Sequence, residues 1–150
     1  MANPTLFTSP TKGKLRYLKS QQTARTVESL VGSELCNRGY RIIFLGTHHP
    51  IADFRVTAPS GREFLVDAKG NSAPNSWAYP DKIETPYLYY ILVELWTVPK
   101  PSFYILTQEE SIRLGHKYQD DHPRNRNVHG GGFGRTYPYP FKDAWEKLPQ

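Results

Sequence analysis

Apolar residues recur at helical spacing in one segment near the start of the chain. From Ser20 onward they follow one another at steps of three and four residues, at Val27, Leu30, Val31 and Leu35. This spacing places them on one face of a helix. Gly39 predicts the end of that helix, because glycine readily adopts the left-handed conformation that closes a helix. Residues 1–19 have no such pattern, and we expect them to form an irregular arm.

Five later stretches have the apolar patterns of β-strands. They cover residues 40–45, 51–58, 62–69, 88–95 and 103–106. Pro59-Ser60-Gly61 predicts a hairpin turn between the second and third strands. The fourth stretch is the most apolar, so we expect it to lie centrally in a sheet with both faces covered.

The segments between these strands predict two long loops and two further helices. Residues 70–86 are rich in proline and indicate a loop with at most a short helical turn near Trp77. Thr107 can cap a helix from Gln108 to about His116. Residues 117–140 are polar, basic and glycine-rich, which is typical of a long loop. A last short helix, residues 142–148, would dock Trp145. The whole chain, 1–150, is expected to form a single α/β domain.

The charge of the chain is uneven and favours an anionic partner. The net charge is +5, and five basic residues precede the first acid, Glu28. Such an arm is either a solvated tail or a contact for the phosphates of nucleic acid. The single cysteine, Cys36, excludes an internal disulfide, and no apolar run approaches membrane-spanning length. We expect a soluble, cytoplasmic protein with no membrane partner.

The third predicted strand ends in charged residues, in the stretch FLVDAKG. Because side chains alternate along a strand, Asp67 and Lys69 point to one face. Asp53 lies on the preceding strand, roughly opposite Asp67 across the hairpin. Two carboxylates held together repel unless a cation lies between them. Oxygen ligands favour Mg²⁺ or Mn²⁺, and Lys69 would then orient or help deprotonate a water and stabilise charge on a phosphate.

These residues together resemble the PD-(D/E)XK nuclease superfamily. The resemblance rests on Asp53, on Asp67-Ala68-Lys69 at a strand end, and on Glu28 in ESLVGSELCNRGY. The acid on a helix that ends in glycine and an aromatic residue is similar to the archaeal Holliday-junction resolvase branch. The resemblance covers about residues 20–107 and implies a restriction-endonuclease-like three-layer fold, with a central mixed sheet of about five strands flanked by helices.

The resemblance also implies a role for each site residue. Asp53 and Asp67 would bind the metal, Mg²⁺ or Mn²⁺, with the Ala68 carbonyl as a third ligand. Lys69 would serve the nucleophilic water, and Glu28 would be an outer or direct ligand.

Three features depart from the family pattern. Ala52 stands where the family name has proline, and the third-strand acid is Asp rather than the commoner Glu. The 70–86 loop is too rich in proline for the long crossover helix of most members, so the 108–116 helix is expected to replace it.

The sequence therefore predicts a Mg²⁺-dependent endonuclease that hydrolyses DNA. The basic residues expected to hold the nucleic acid are Lys12, Lys14, Arg16, Lys19, Arg124, Arg126 and Arg135. An inactive nucleic-acid-binding or assembly module with the same fold is the alternative, and a subunit whose aromatic strands form a protein interface is a third hypothesis. Many enzymes of this fold act as dimers, so a homodimer stays open.

Several other residues are weaker candidates for a functional role. His48 and His49 are expected in a surface turn, and one cysteine with scattered histidines disfavours zinc. His129 and the three glycines after it resemble a lipase oxyanion loop, but the chain has no G-x-S-x-G motif. Trp77 and Tyr79 follow the D-x-K strand in a loop, which makes them aromatic candidates for substrate contact.

Overall fold

The first helix is longer than its apolar pattern predicts. The computed structural model describes residues 11–46, 48–78, 83–125 and 132–150, and helix α1 spans Lys12–Asn37. Residues 12–19, expected to be irregular, are therefore helical. The prediction was wrong because it relied on buried positions, and the first buried side chain described in α1 is Val27. Apart from Gly13, residues 12–19 are mostly Lys, Leu and Arg, which are good helix formers.

Gly39 ends the helical segment as predicted. Its φ of +90° lies in the left-handed region, and the Tyr40 N–H donates to the Leu35 carbonyl across the turn. Val27, Val31 and Leu35 are fully buried, so one stripe of α1 faces the sheet. Cys36 is exposed.

The five predicted strands form one mixed sheet. The strands are β1 (Arg41–Phe44), β2 (Phe54–Thr57), β3 (Glu63–Asn71), β4 (Leu88–Glu94) and β5 (Ser102–Thr107). Their spatial order equals their order in the chain. The β3–β4 pair is parallel and the other three pairs are antiparallel. The predicted hairpin turn is present between β2 and β3, where the Ala58 N–H donates to the Arg62 carbonyl at 2.8 Å.

Helix α2 spans Gln108–Asp121 and begins with the predicted cap. Thr107 accepts a hydrogen bond from the Glu110 N–H, while the Glu110 carboxylate accepts one from the Thr107 N–H. The helix continues beyond His116 to Asp121, where Lys117 pairs with Asp121 one turn later at 3.1 Å.

In the described C-terminal residues, short 3₁₀ turns lie within the predicted 117–140 loop and stand in place of the predicted last helix. Besides the end of α2, the 117–140 segment contains 3₁₀ turns at Pro123–Asn125 and Tyr139–Phe141. A third 3₁₀ turn, Trp145–Lys147, stands where a helix over residues 142–148 was predicted. Trp145 docks as expected: it is buried, and its ring lies 5.5 Å from that of Phe103.

The two helices lie on opposite faces of the sheet. Residues of α1 pack with one set of buried strand side chains, among them Val56, Val66 and Ile105. Leu114 and Tyr118 of α2 pack on the other face, with Leu92 and Leu106. β4 has neighbours on both sides and is buried along nearly its whole length, as its apolar sequence predicts. The chain is thus an α/β domain with a helix on each side of a five-stranded mixed sheet. No helix in these described ranges is long and apolar enough to cross a membrane.

Helix α1 crosses β3 directly beyond the D-x-K residues, at Gly70. A Cβ atom added to Gly70 would lie 2.0 Å from the Val27 Cγ2 atom, which no real contact allows. The absence of a side chain at this position therefore lets the helix lie close to the strand. As a result, Glu28, next to Val27, is brought to the charged end of β3.

We expect Gly70→Ala to lower the free energy of unfolding by about 1–3 kcal/mol, because the new methyl group forces α1 away from the sheet. Urea denaturation measures this change. Gly13→Ala is the matched control, since Gly13 lies in α1 with nothing within 4 Å of its added Cβ. Equal stability of the two variants would contradict the close contact at Gly70.

Candidate active site

The β2–β3 hairpin places Asp53 beside Asp67. Phe54 pairs with Val66, so the next positions along the ladder are Asp53 and Asp67. The Asp53 N–H donates to the Val66 carbonyl at 3.0 Å, and its Oδ2 accepts a hydrogen bond from the Ala68 N–H at 2.8 Å. Asp53 is therefore held at both its backbone and its carboxylate, and the two acids meet as the sequence predicts.

The two carboxylates share a partly dry environment and a hydrogen bond. Asp67 is only 2% exposed. Burial raises the pKa of Asp53 to about 6, and both the charge of Asp67 and the hydrogen bond between the two carboxyl groups add to this rise. The Ala68 N–H and the Lys69 charge oppose it. Asp53 therefore loses its proton at a higher pH than an ordinary exposed aspartate does.

Lys69 is the cation nearest to this pair among the contacts described. Its Nζ lies 3.2 Å from Asp67 Oδ1, and one third of its side chain is exposed to solvent. The buried carboxylate is thus neutralised on one side by a group that still reaches solvent. This is the arrangement that the D-x-K spacing predicts.

Glu28 approaches the same group from helix α1. It is half-buried, and burial raises the pKa of its carboxyl, while the charges of Arg25 and Lys69 lower it. Glu28 therefore lies within electrostatic reach of Lys69. Across the described parts of the chain, no three His, Cys, Asp or Glu side chains gather closely enough to hold a metal ion.

The donor set nevertheless fits a hard divalent cation bound with substrate oxygens or water. The pair supplies two carboxylates whose mutual repulsion a cation would relieve. Asp53, Asp67 and the Ala68 carbonyl would hold such an ion, and Glu28 stands in reach of the outer shell. These ligand roles stay predictions.

Two residues that the sequence did not predict contribute to the surroundings of Asp67: Tyr90, opposite it in the sheet, and Gln108, bonded to Tyr90. Tyr90 lies opposite Asp67 in the parallel β3–β4 ladder and is 2% exposed. Burial, followed by the charge of Asp67, raises the pKa of Tyr90 to about 12, so the phenol keeps its proton. Gln108 hydrogen-bonds this side chain. An apolar strand that contains a tyrosine gives no signal of this contact, because only the strand register reveals it.

Gln108 also secures the segment that leads into β4. Its Oε1 accepts from the Thr85 N–H at 2.7 Å, and its Nε2 donates to the Ile83 carbonyl at 3.2 Å. The described parts of the 72–87 connection contain no helix. The first residue of α2 therefore lies beside the site; that this helix replaces a crossover helix stays a prediction.

The described side chains among the basic residues predicted to hold nucleic acid lie on different elements of the fold. Lys12 and Lys19 are exposed on α1, and Arg124 is exposed in the turn after α2. Lys14 and Arg16 belong to α1, but their side chains lie outside the described part, as does the whole of Arg126. Arg135 stacks over Trp96, with its guanidinium carbon 5.6 Å from the ring centroid.

Trp77 is not available to a substrate, contrary to the expectation. It is 3% exposed, and its backbone forms two 2.9 Å hydrogen bonds with Phe133. Tyr79 lies outside the described residues. Gly132 allows the pairing, since an added Cβ would lie 2.1 Å from the Trp77 carbonyl oxygen. The His49 ring accepts a hydrogen bond from the Ala52 N–H at 3.2 Å, which agrees with a structural role in a surface turn.

Comparison with known proteins gives no further assignment. No protein-family model, no curated protein and no solved structure matches this chain. The interpretation of the site therefore rests on the residues and geometry above.

The raised pKa of Asp53 predicts that this carboxyl destabilises the metal-free fold as the pH rises. The folded chain binds the proton with a pKa of about 6 and the unfolded chain with a pKa near the ordinary 3.8. Stability is thus unaffected by this group below about pH 4 and falls as the pH increases from 4 to 6. Asp53→Asn should lack this fall and gain on the order of 1 kcal/mol over wild type at pH 7.5, after allowance for solvent screening.

Urea denaturation in EDTA at pH 4.5 and pH 7.5 measures the difference. Asp143→Asn is the control, because Asp143 is an exposed aspartate in a left-handed conformation that asparagine also tolerates. It should keep the wild-type pH dependence. The same pH dependence in Asp53→Asn would rule out the raised pKa.

Proposed function

We propose that this chain is a metal-dependent nuclease that hydrolyses DNA phosphodiester bonds, with a restriction-endonuclease-like fold. The observation that carries the proposal is the Asp53–Asp67 carboxylate pair with Lys69 beside it. Stability alone does not favour two like charges placed together in a partly dry site. Such pairs are typical of sites that take up a cation and a phosphate.

The arrangement of the chain supports the same proposal. A helix, a three-stranded meander and two further strands follow in the order that the PD-(D/E)XK resemblance implies. The acid on the helix, Glu28, reaches the D-x-K strand end because α1 crosses β3 at Gly70. The departure is the connection after β3, where α2 takes the place of the crossover helix.

Each residue has a defined part in the proposed hydrolysis. A bound Mg²⁺ would supply a water of lowered pKa and neutralise charge on the phosphate. Asp53 and Asp67 would hold the ion through their carboxylate oxygens. Lys69 would orient the attacking water and stabilise the negative charge that develops on the phosphate oxygens. Glu28 would hold water molecules in the outer shell or bind the ion itself.

Asp67→Asn should abolish cleavage, by at least about 10²-fold, because it removes the carboxylate that Lys69 and the ion share. The assay follows labelled single-stranded, duplex and branched DNA with Mg²⁺ or Mn²⁺, alongside calorimetric titration of Mn²⁺ with DNA present. Asp143→Asn serves as the control on the exposed surface and should cut like wild type. Unchanged cleavage by Asp67→Asn would refute the assignment. DNA binding with neither cleavage nor metal uptake in wild type would favour the inactive module.

The exposed basic side chains of α1 predict salt-dependent DNA binding. Lys12→Ala and Lys19→Ala should each weaken binding to all sequences about equally and reduce the slope of log K against log salt by about 1, as expected for phosphate contacts. Fluorescence anisotropy from 50 to 200 mM salt measures the slope. Lys100→Ala, an exposed lysine outside α1, is the control. An unchanged slope in both α1 variants would show that this helix does not contact DNA.

A further inference from the structure

An open cleft lies between the second half of α1 and strands β1 and β2. Its volume is about 700 Å³. One wall is formed by polar residues of α1 at four-residue steps, Ser29, Ser33 and Asn37. The floor is apolar and consists of Ile42, Phe44 and Phe54.

The floor contains an aromatic ring with a free face. Phe44 is 50% exposed, although its ring packs 5.7 Å from that of Phe54. A large aromatic side chain that is half exposed beside a cleft leaves apolar surface uncovered. The cleft thus offers a flat apolar surface next to hydroxyl and amide groups.

The cleft is continuous with the candidate active site. Glu28 both lines the cleft and lies in electrostatic reach of Lys69. Phe54 of the floor directly follows Asp53 in the chain, so their side chains leave the strand on opposite faces, and Glu28 is the residue that joins the cleft to the site. A strand held at the carboxylate pair would reach the cleft past Glu28, beside the Val27–Gly70 contact.

The charges of the residues that line the cleft indicate which kind of ligand it accepts. None of the described residues that line the cleft is Lys or Arg, and Glu28 contributes a carboxylate. A phosphate would be repelled there, whereas an uncharged group with an apolar face and hydrogen-bonding edges would be accepted. A nucleobase has this chemistry, because its face stacks on aromatic rings and its edge binds hydroxyl and amide groups.

We propose that this cleft receives a nucleobase of the strand whose phosphate lies at the carboxylate pair. The inference rests on the proposed nuclease function and adds to it a substrate class: DNA with an unpaired base beside the phosphate that is cut. A base in an intact duplex has its edge paired and its faces stacked, so it cannot enter. Single strands, frayed ends and extruded bases can.

The test compares two labelled strands of equal length, oligothymidylate and a fully abasic strand, by fluorescence anisotropy in EDTA. Their phosphates are the same, so only the bases differ. Wild type should bind oligothymidylate about tenfold more tightly, the size of effect that one base–aromatic stack gives. Phe44→Ala should remove this preference. Ser33→Leu, which fills the cleft without removing a core contact, should remove it as well.

Ile43→Ala is the matched control. Ile43 is 52% exposed and adjoins Phe44 in β1, but its side chain points to the other face of the strand. This variant should keep the preference. Equal binding of both strands by wild type, or a preference unchanged in Phe44→Ala and Ser33→Leu, would overturn the proposal. If Phe44→Ala instead loses self-association in sedimentation while the preference stays, the cleft is a contact between copies of the chain.

Different results would refute the nuclease proposal and the cleft proposal. Binding in EDTA requires no cleavage, so a missing base preference overturns the cleft assignment alone. Cleavage unaffected by Asp67→Asn overturns the nuclease site, whatever the binding assay shows.

Discussion

The contact between the Asp53 and Asp67 carboxylates is the constraint on which the rest of the site depends. It follows from the register of one hairpin, because the pair lies one step beyond Phe54 and Val66 on the same ladder. A slip of one residue would turn every side chain of β3 to the opposite face and separate the two acids. Two like charges in a partly dry place lower the stability of a fold. Neither the core nor the hairpin requires them, so a function that uses a cation explains their presence better than a structural role does.

Helix α1 connects three features that the sequence shows only as separate signals. Its buried stripe, with Val27 and Val31, anchors it on the sheet. Gly70 lets it approach so closely that Glu28 reaches Lys69. The turns after Glu28 form the polar wall of the cleft, and the turns before it carry exposed basic residues away from the core. Because one rigid element holds all three, the distances between the site, the cleft and the basic turns are fixed together.

Periodicity and turn chemistry predicted most of the architecture, since they depend on local sequence. The strands, the hairpin turn and the cap at Thr107 follow from such signals. Local signals failed where tertiary contacts decide. The helical residues 12–19 precede the first buried side chain described in α1, and the Trp77–Phe133 pairing joins segments that are distant in the chain. The proximity of Asp53, Asp67 and Lys69 was predictable, because strand alternation and a single turn relate them. The contributions of Tyr90 and Gln108 depend on the β3–β4 register and on the position of α2, which no local pattern encodes.

The absence of a helix from the described parts of the β3–β4 connection has a consequence for how a substrate approaches. Parallel neighbours need a crossover of a dozen or more residues, and here part of that crossover is held by Gln108 at Thr85. Gln108 and Tyr90 together close the space behind Asp67, which is almost fully buried. Lys69, in contact with Asp67, keeps a third of its side chain in solvent. In the proposed function, a phosphate would therefore approach the carboxylate pair beside Lys69, where the site is open to solvent.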